Sequence, residues 1–154
     1  MFYGQDLSSI HDAQFGDLAR EAASFLASQL DAAGVRQGTV VDLGCGSGIL
    51  AGLIGDAGYD VVGVDISADM IDLARKNAPR ATLHVGSLLD LDLPPAVAVT
   101  AIGEALNYAT DPRAGLEELE RLATCVHDAL VPGRRVPVRC GRPRTPRSRR
   151  HPVP

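Results

Sequence analysis

Residues 40–48 read VVDLGCGSG, and Asp65 closes the apolar run DVVGVD that follows. The chemistry open to this pair is recognition rather than bond breaking. Glycine loses more backbone freedom on folding than any other residue. Three of them, at 44, 46 and 48, therefore imply a backbone that turns sharply or lets something approach closely. The run Thr39–Leu43 reads as a buried strand and Gly48–Ala57 as a short helix, so the glycines sit between the two. Exposed N–H groups and the positive end of the helix dipole would favour a carboxylate or another electron-rich group there. A carboxylate at a strand end, such as Asp65, can accept two charge-assisted hydrogen bonds from ribose hydroxyls. In open α/β sheets, ligands gather beyond the carboxyl ends of the strands. The expected visitor is a nucleotide-like cofactor.

The elements around these residues follow from periodicity. Phe15, Leu18, Ala22, Phe25, Leu26, Gln29 and Leu30 mostly keep helical spacing, so an amphipathic helix is expected from about Ser9 to Ala33, stopped by Gly34. Asp60–Asp65 is a second β-branched strand. Ser67 can cap a helix that runs to about Asn77 and ends at Pro79. Thr82–Val85 reads as a third strand and Ala96–Ile102 as a fourth, after the Pro94-Pro95 break. Asp111-Pro112 supplies a cap and a first-turn proline for a helix reaching about Leu130. Apolar strands alternating with helices mean parallel pairing, right-handed crossovers and a sheet covered on both faces.

The 154 residues suffice for one domain. With 45% hydrophobic and 4% aromatic residues the composition is that of an ordinary α/β core. No run of about 18 apolar residues occurs, and no membrane partner is expected. MFYGQDLSSIHD has neither a basic nor an apolar leader region, so a cytoplasmic protein is expected. Cys45, Cys125 and Cys140 are widely spaced and read as free thiols; no metal-ligand spacing joins them to His11, His84 or His127. The net charge of −4 divides unevenly. Residues 1–133 hold all 19 acidic and 7 of the basic residues, a balance of −12, while residues 134–154 hold eight arginines and five prolines with no acid. That end cannot bury enough apolar surface to order itself and reads as a disordered tail. Nucleic acid is not expected as a partner, since the tail lacks interleaved aromatics.

A dinucleotide fingerprint, G-x-G-x-x-G, would require glycine where Ile49 stands. The observed acid-x-G-x-G-x-G instead resembles motif I of the class I S-adenosylmethionine-dependent methyltransferases. VVGVDIS then resembles their second strand, LHVGSLLDLDLP their third strand and loop, and AVTAIGEALNYATDP their fourth strand and the loop beneath the methionine end of the cofactor. The resemblance runs from about Tyr3 to Gly133 and implies a Rossmann-like, doubly wound, mostly parallel sheet. It implies a cofactor site of Asp42, Gly44, Cys45, Gly46, Gly48, Asp65, Ile66, Gly86, Ser87 and Leu88, joined by Tyr3 from an N-terminal segment that resembles the family's lid and leads into a lid helix at about 9–33. Asp42 would steady the loop through backbone N–H groups or reach the cofactor's amino group. Ser87 stands where relatives often place an acid or polar side chain near the adenine amino group. Glu104 is the candidate general base or acceptor-positioning residue, with Asn107 and Tyr108 beside it. The acceptor is expected to be a small molecule.

The apolar run that follows PG in the family has no counterpart after Gly133. The chain is therefore expected to be truncated or frame-shifted there, with the sheet incomplete at its C-terminal strands. A non-catalytic remnant with partial cofactor binding is the competing function, and self-association through an exposed sheet edge would follow. An NAD(P)-binding Rossmann domain is disfavoured by the glycine spacing.

Overall fold

Val40 and Val41 are adjacent on one strand and both fully buried. Successive side chains on a strand point to opposite faces, so both faces must be covered. The computed structural model describes the backbone of residues 5–103, 105–106, 111–113, 115–130, 132 and 138–139, and among these the side chains from 16 to 132. In chain order the elements are α1 (Gln5–Ala32), β1 (Thr39–Leu43), α2 (Ile49–Asp56), β2 (Asp60–Asp65), α3 (Ala68–Asn77) and β3 (Thr82–Val85). They continue with β4 (Asp92–Leu93), β5 (Ala98–Thr100), α4 (Leu116–Ala129) and β6 (Val138–Arg139).

Four strands form a parallel sheet in the order β3-β2-β1-β5. Val40 packs with Ala23 and Leu30 of α1, Leu50, Ala51 and Ile54 of α2, and Val61. Val41 faces the other way, into a layer of Leu43, Val64, Leu89, Leu93, Leu122, Cys125 and Ala129 that seats α4. Burying each such Val or Leu side chain contributes roughly 1.5–3 kcal/mol. The chain thus has the doubly wound α/β fold that its periodicity implies. Two of its helices are also electrostatically matched to their dipoles. The Ser67 hydroxyl accepts the Met70 N–H at 3.3 Å, with Asp69 in the first turn of α3 and Arg75 and Lys76 in the last. Glu117 and Glu118 open α4 and His127 lies in its final turn. Among the described residues no helix is long and apolar enough to cross a membrane.

Four expectations are corrected. The first helix begins at Gln5 rather than near Ser9. The fourth strand of the parallel sheet shrinks to Ala98–Thr100. The last helix starts at Leu116, not at Asp111-Pro112, because the Asp111 carboxylate caps a turn of its own. It accepts the Arg113 N–H at 2.9 Å and two bonds from the Arg113 guanidinium. Finally, the loop LDLDLP and the expected tail each contribute two residues to an antiparallel pair, Asp92 opposite Arg139 and Leu93 opposite Val138. Pro137 removes only its own N–H, so Val138 can still pair. The rest of residues 133–154 lies outside the described residues.

Candidate functional site

Register brings the site together. Leu43 pairs with Val64, Asp42 with Thr100 and Asp65 with Val85. The glycine turn, Asp65 and the Gly86–Leu88 segment therefore all emerge at the same carboxyl edge of the sheet. Gly44, Gly46 and Gly48 all have positive φ, at 74°, 53° and 78°. Their surroundings differ. A Cβ on Gly44 would lie 2.5 Å from the Ala105 Cβ, and one on Gly48 would lie 2.9 Å from the Ala74 Cα. A Cβ on Gly46 would meet nothing within 4 Å. Gly46 is thus the glycine of the motif that borders open space. Gly48 serves packing of α2 against α3.

The expectation of exposed N–H groups in this turn is also corrected. Gly44 and Cys45 both donate to the Val64 carbonyl, at 2.8 and 3.0 Å, Gly46 donates to the Asp65 Oδ2 at 3.0 Å, and Gly48 donates to the Cys45 carbonyl at 2.9 Å. The turn straps itself across the end of β2, and its donors are consumed in doing so. Asn77 holds it from the other side, donating to the Ser47 carbonyl at 2.9 Å. Cys45 is buried and packs on Gly63 of β2. Burial, helped by the charges of Asp42 and Asp65, pushes its thiol well above the ordinary range, so it fills space and is not a nucleophile.

Asp65 organises the edge. Its Oδ2 accepts from Gly46 and its Oδ1 accepts the Ser67 N–H at 2.9 Å. An ionised carboxylate has about four acceptor positions, so each oxygen keeps capacity for a ligand hydroxyl. Steadying the loop is therefore the work of Asp65 rather than of Asp42. Asp42 lies beneath, 3% exposed, and accepts the Thr100 hydroxyl at 2.8 Å. Burial raises its pKa from 3.8 to about 6, the Thr100 bond opposes the rise, and the Asp65 charge adds to it.

A folded-state pKa above the unfolded value has a definite sign. Below pH 3.8 both states hold the proton; between about 4 and 6 the unfolded chain gives it up first, so stability falls as pH rises. From the two values the loss is about 3 kcal/mol by pH 7. Asp42→Asn should remove that slope, seen as denaturation midpoints that converge with wild type at low pH and exceed it at pH 7. Parallel pH profiles for the two proteins would refute the assignment.

The third loop is latched. The Gly86 N–H donates to the Asp65 carbonyl at 2.9 Å, and the Ser87 hydroxyl accepts the Leu89 N–H at 3.1 Å. The Arg113 guanidinium grips Asp90 with two bonds of 2.8 Å and bonds Asp111 at 2.7 and 3.0 Å. Those bonds, first among several causes, hold the Asp111 carboxyl below the usual carboxylate range and keep the guanidinium firmly protonated.

An acidic strand end thus faces a glycine turn across two parallel strands. Residues 40–125, more than half of the chain, match the family model described as a methyltransferase domain. The chain belongs to the methyltransferase-domain family. This methyltransferase domain is 33% identical over 84 residues to the dTDP-3-amino-3,6-dideoxy-alpha-D-glucopyranose N,N-dimethyltransferase of Streptomyces fradiae, covering 54% of this chain and 32% of that protein. It is 35% identical over 97 residues to the magnesium-protoporphyrin O-methyltransferase of Rhodobacter capsulatus, covering 60% and 42%. The chain thus spans less than half the length of either curated relative. Its fold matches the SAM-bound amino pentose methyltransferase CalS10 of Micromonospora echinaspora at a TM-score of 0.62 and 23% identity, covering 84% of this chain and 52% of that one.

Within the methyltransferase domain, Asp42, Gly44, Cys45, Gly46, Gly48, Asp65, Ile66, Gly86, Ser87 and Leu88 all lie at or under the carboxyl edge. Tyr3, Glu104, Asn107 and Tyr108 lie outside the described residues. Sequence reasoning missed Thr100, Asp90, Asp111 and Arg113. Thr100 and Asp42 are 58 residues apart and Arg113 and Asp90 are 23 apart, and no motif signals either pairing.

Proposed function

We propose that this protein is a cytoplasmic, class I S-adenosylmethionine-dependent methyltransferase acting on a small-molecule acceptor. The observation that carries the reading is the 3.0 Å bond between the Gly46 N–H and the Asp65 Oδ2. It holds bare backbone at the tip of β1 within a ribose's breadth of a carboxylate with acceptor positions to spare. The methyltransferase names of the relatives support the same reading, and the acidic balance of residues 1–133 argues against a nucleic acid acceptor.

The residues present suit the cofactor. Asp65 would take the ribose hydroxyls, and the open side of Gly46 would admit the rest of the nucleoside. Ile66, 48% exposed beside Asp65, and Leu88 would cover the base, with Gly86 and Ser87 along its edge. Gly44, Cys45 and Gly48 would shape the turn, while Asp42 would place a negative charge beneath the amino acid end. Bound S-adenosylmethionine supplies a methyl group on a positively charged sulfur. The chain's own task is to align the acceptor with that carbon, exclude water and accept a proton where the acceptor carries one. Glu104 is the proposed base, and Tyr3 would close over the cofactor. The outer edges of β3 and β5, each paired on one side only among the described residues, are the proposed route for self-association.

Calorimetric titration with S-adenosylhomocysteine and with NAD tests the reading. Saturable binding of the former alone is expected, with about 2.7 kcal/mol of added stability at 100 times its dissociation constant. Binding of NAD, or of neither, would overturn it.

A further inference from the structure

We propose that Thr100 is a positioning residue whose hydroxyl, set between the Asp42 carboxylate and the Val41 carbonyl, lets the buried acid keep or give up its proton, so that a sulfonium nucleoside expels that proton on binding. The inference rests on the reading above, in which Asp42 lies beneath the amino acid end of the cofactor.

Strand register makes the contact. Asp42 pairs with Thr100 on β5 and with Gly63 on β2. Gly63 offers no side chain, and Cys45 packs over it. Among the described residues one donor reaches the Asp42 carboxylate, the Thr100 hydroxyl at 2.8 Å. The same hydroxyl oxygen stands 3.3 Å from the Val41 carbonyl oxygen, a longer and weaker contact. A threonine hydroxyl has one proton and two lone pairs, so it serves one of these acceptors fully at a time. When Asp42 is ionised, that proton points to the carboxylate. When Asp42 is protonated, the carboxyl O–H donates to the Thr100 Oγ1 and the hydroxyl turns its own proton to Val41. Both states are satisfied. An aliphatic side chain at this position would leave the ionised state without its donor.

The surroundings set the direction of the effect. Asp65 at the end of β2 and the Cys45 thiol in the glycine turn are the titratable groups that act on Asp42 from neighbouring elements. The helices α1 and α2 cover this face, and their described charged side chains, Asp17, Arg20, Glu21, Asp31 and Asp56, are all exposed. Among the described residues no cation offsets the Asp42 charge. Burial and the Asp65 charge both favour the protonated acid, against the Thr100 bond, and the group titrates at about 6. A ligand with a positive sulfur supplies the missing cation and draws Asp42 into its charged form, while the carboxyl proton passes to the buffer. S-Adenosylhomocysteine, whose sulfur is neutral, should draw it less.

Calorimetric titration of the full chain with S-adenosylmethionine, repeated in buffers of different ionisation enthalpy, counts the protons released. At a pH of about 6 wild type should release about half a proton per ligand, because half of the carboxyl is protonated where pH equals its pKa. S-Adenosylhomocysteine should release fewer. Affinity should fall as pH drops from about 7 to about 5, approaching tenfold per unit. Asp42→Asn should release none in this range and lose that dependence. Thr100→Val keeps the shape of the side chain but withdraws the donor, so the midpoint of its release profile should move up by about one pH unit or more. Thr100→Ser restores the hydroxyl and should return the midpoint close to wild type. A purely structural Thr100 would lower the melting temperature of the valine variant and leave the midpoint unmoved, which refutes the inference while the cofactor reading stands. Wild type that binds S-adenosylmethionine with no proton release across this range refutes it equally, and that measurement needs no variant to fold. Wild type that binds neither ligand removes the cofactor reading and the inference with it.

Discussion

Asp65→Ala should weaken S-adenosylhomocysteine binding by about two orders of magnitude, the largest loss expected of any single side chain in this site. Two ribose hydroxyls donating to an ionised carboxylate contribute roughly 1.5 kcal/mol each at the low end for charge-assisted bonds, and each 1.4 kcal/mol is tenfold in affinity. The same carboxylate accepts the Gly46 and Ser67 N–H groups, so the alanine variant also leaves two donors unmatched and lets the glycine turn drift. A stability loss of about 2 kcal/mol should therefore accompany the affinity loss. Asp65→Asn separates the two contributions. It keeps the size of the side chain but puts an amide nitrogen against one of those donors, and it removes the charge that favours hydroxyl donors. Its affinity should fall nearly as far as that of alanine. Calorimetry at matched protein folding, verified by circular dichroism, supplies the measurement. Affinity within threefold of wild type in both variants would remove Asp65 from the site.

Gly48→Ala should cost about 3 kcal/mol of folding stability, a large share of the 5–15 kcal/mol usual for a domain. Two effects add. At a φ of 78° an L side chain is strained by roughly 1–2 kcal/mol. The new Cβ would also lie 2.8 Å from the Ala74 Cβ, 2.9 Å from its Cα and 3.2 Å from its carbonyl oxygen, and overpacking of this kind costs typically 1–3 kcal/mol. Two of those three atoms are backbone, so Ala74→Gly in the same chain should rescue only part of the loss. Gly46→Ala is the informative contrast. Its φ of 53° brings strain, but no atom stands within 4 Å of the added carbon. That variant should lose only about 1–2 kcal/mol of stability while obstructing the space proposed for the nucleoside. Urea denaturation with unchanged slope distinguishes the two, and equal destabilisation by both would contradict the contacts assigned to Gly48.

The fold was readable because its signals are local. Runs such as VVDL and DVVGVD lie within one strand, and Ser67 caps α3 through an N–H three residues on. Gly44, Gly46, Gly48 and Asp65 raise the expectation of a nucleoside site by residue type and order, without knowledge of their partners. Errors arose where a local signal had a nearer competitor. Asp111-Pro112 looks like the start of a helix, but the Arg113 guanidinium folds back on Asp111 and holds a separate turn, so α4 waits until Leu116. The glycine turn looked like a cradle of free N–H groups until the strand beside it supplied acceptors.

The amino-acid order alone determined that this chain would build a parallel α/β sheet with bare backbone and an acid at its carboxyl edge, since propensity, capping and periodicity act over a few residues. Tertiary structure alone decided where each donor went: the turn's N–H groups to Val64 and Asp65, Thr100 to a buried Asp42, and Arg113 to carboxylates on two different loops. Hydrogen bonds are settled by which groups arrive within about 3 Å of one another. That proximity is a property of strand order and register, which no single stretch of sequence contains.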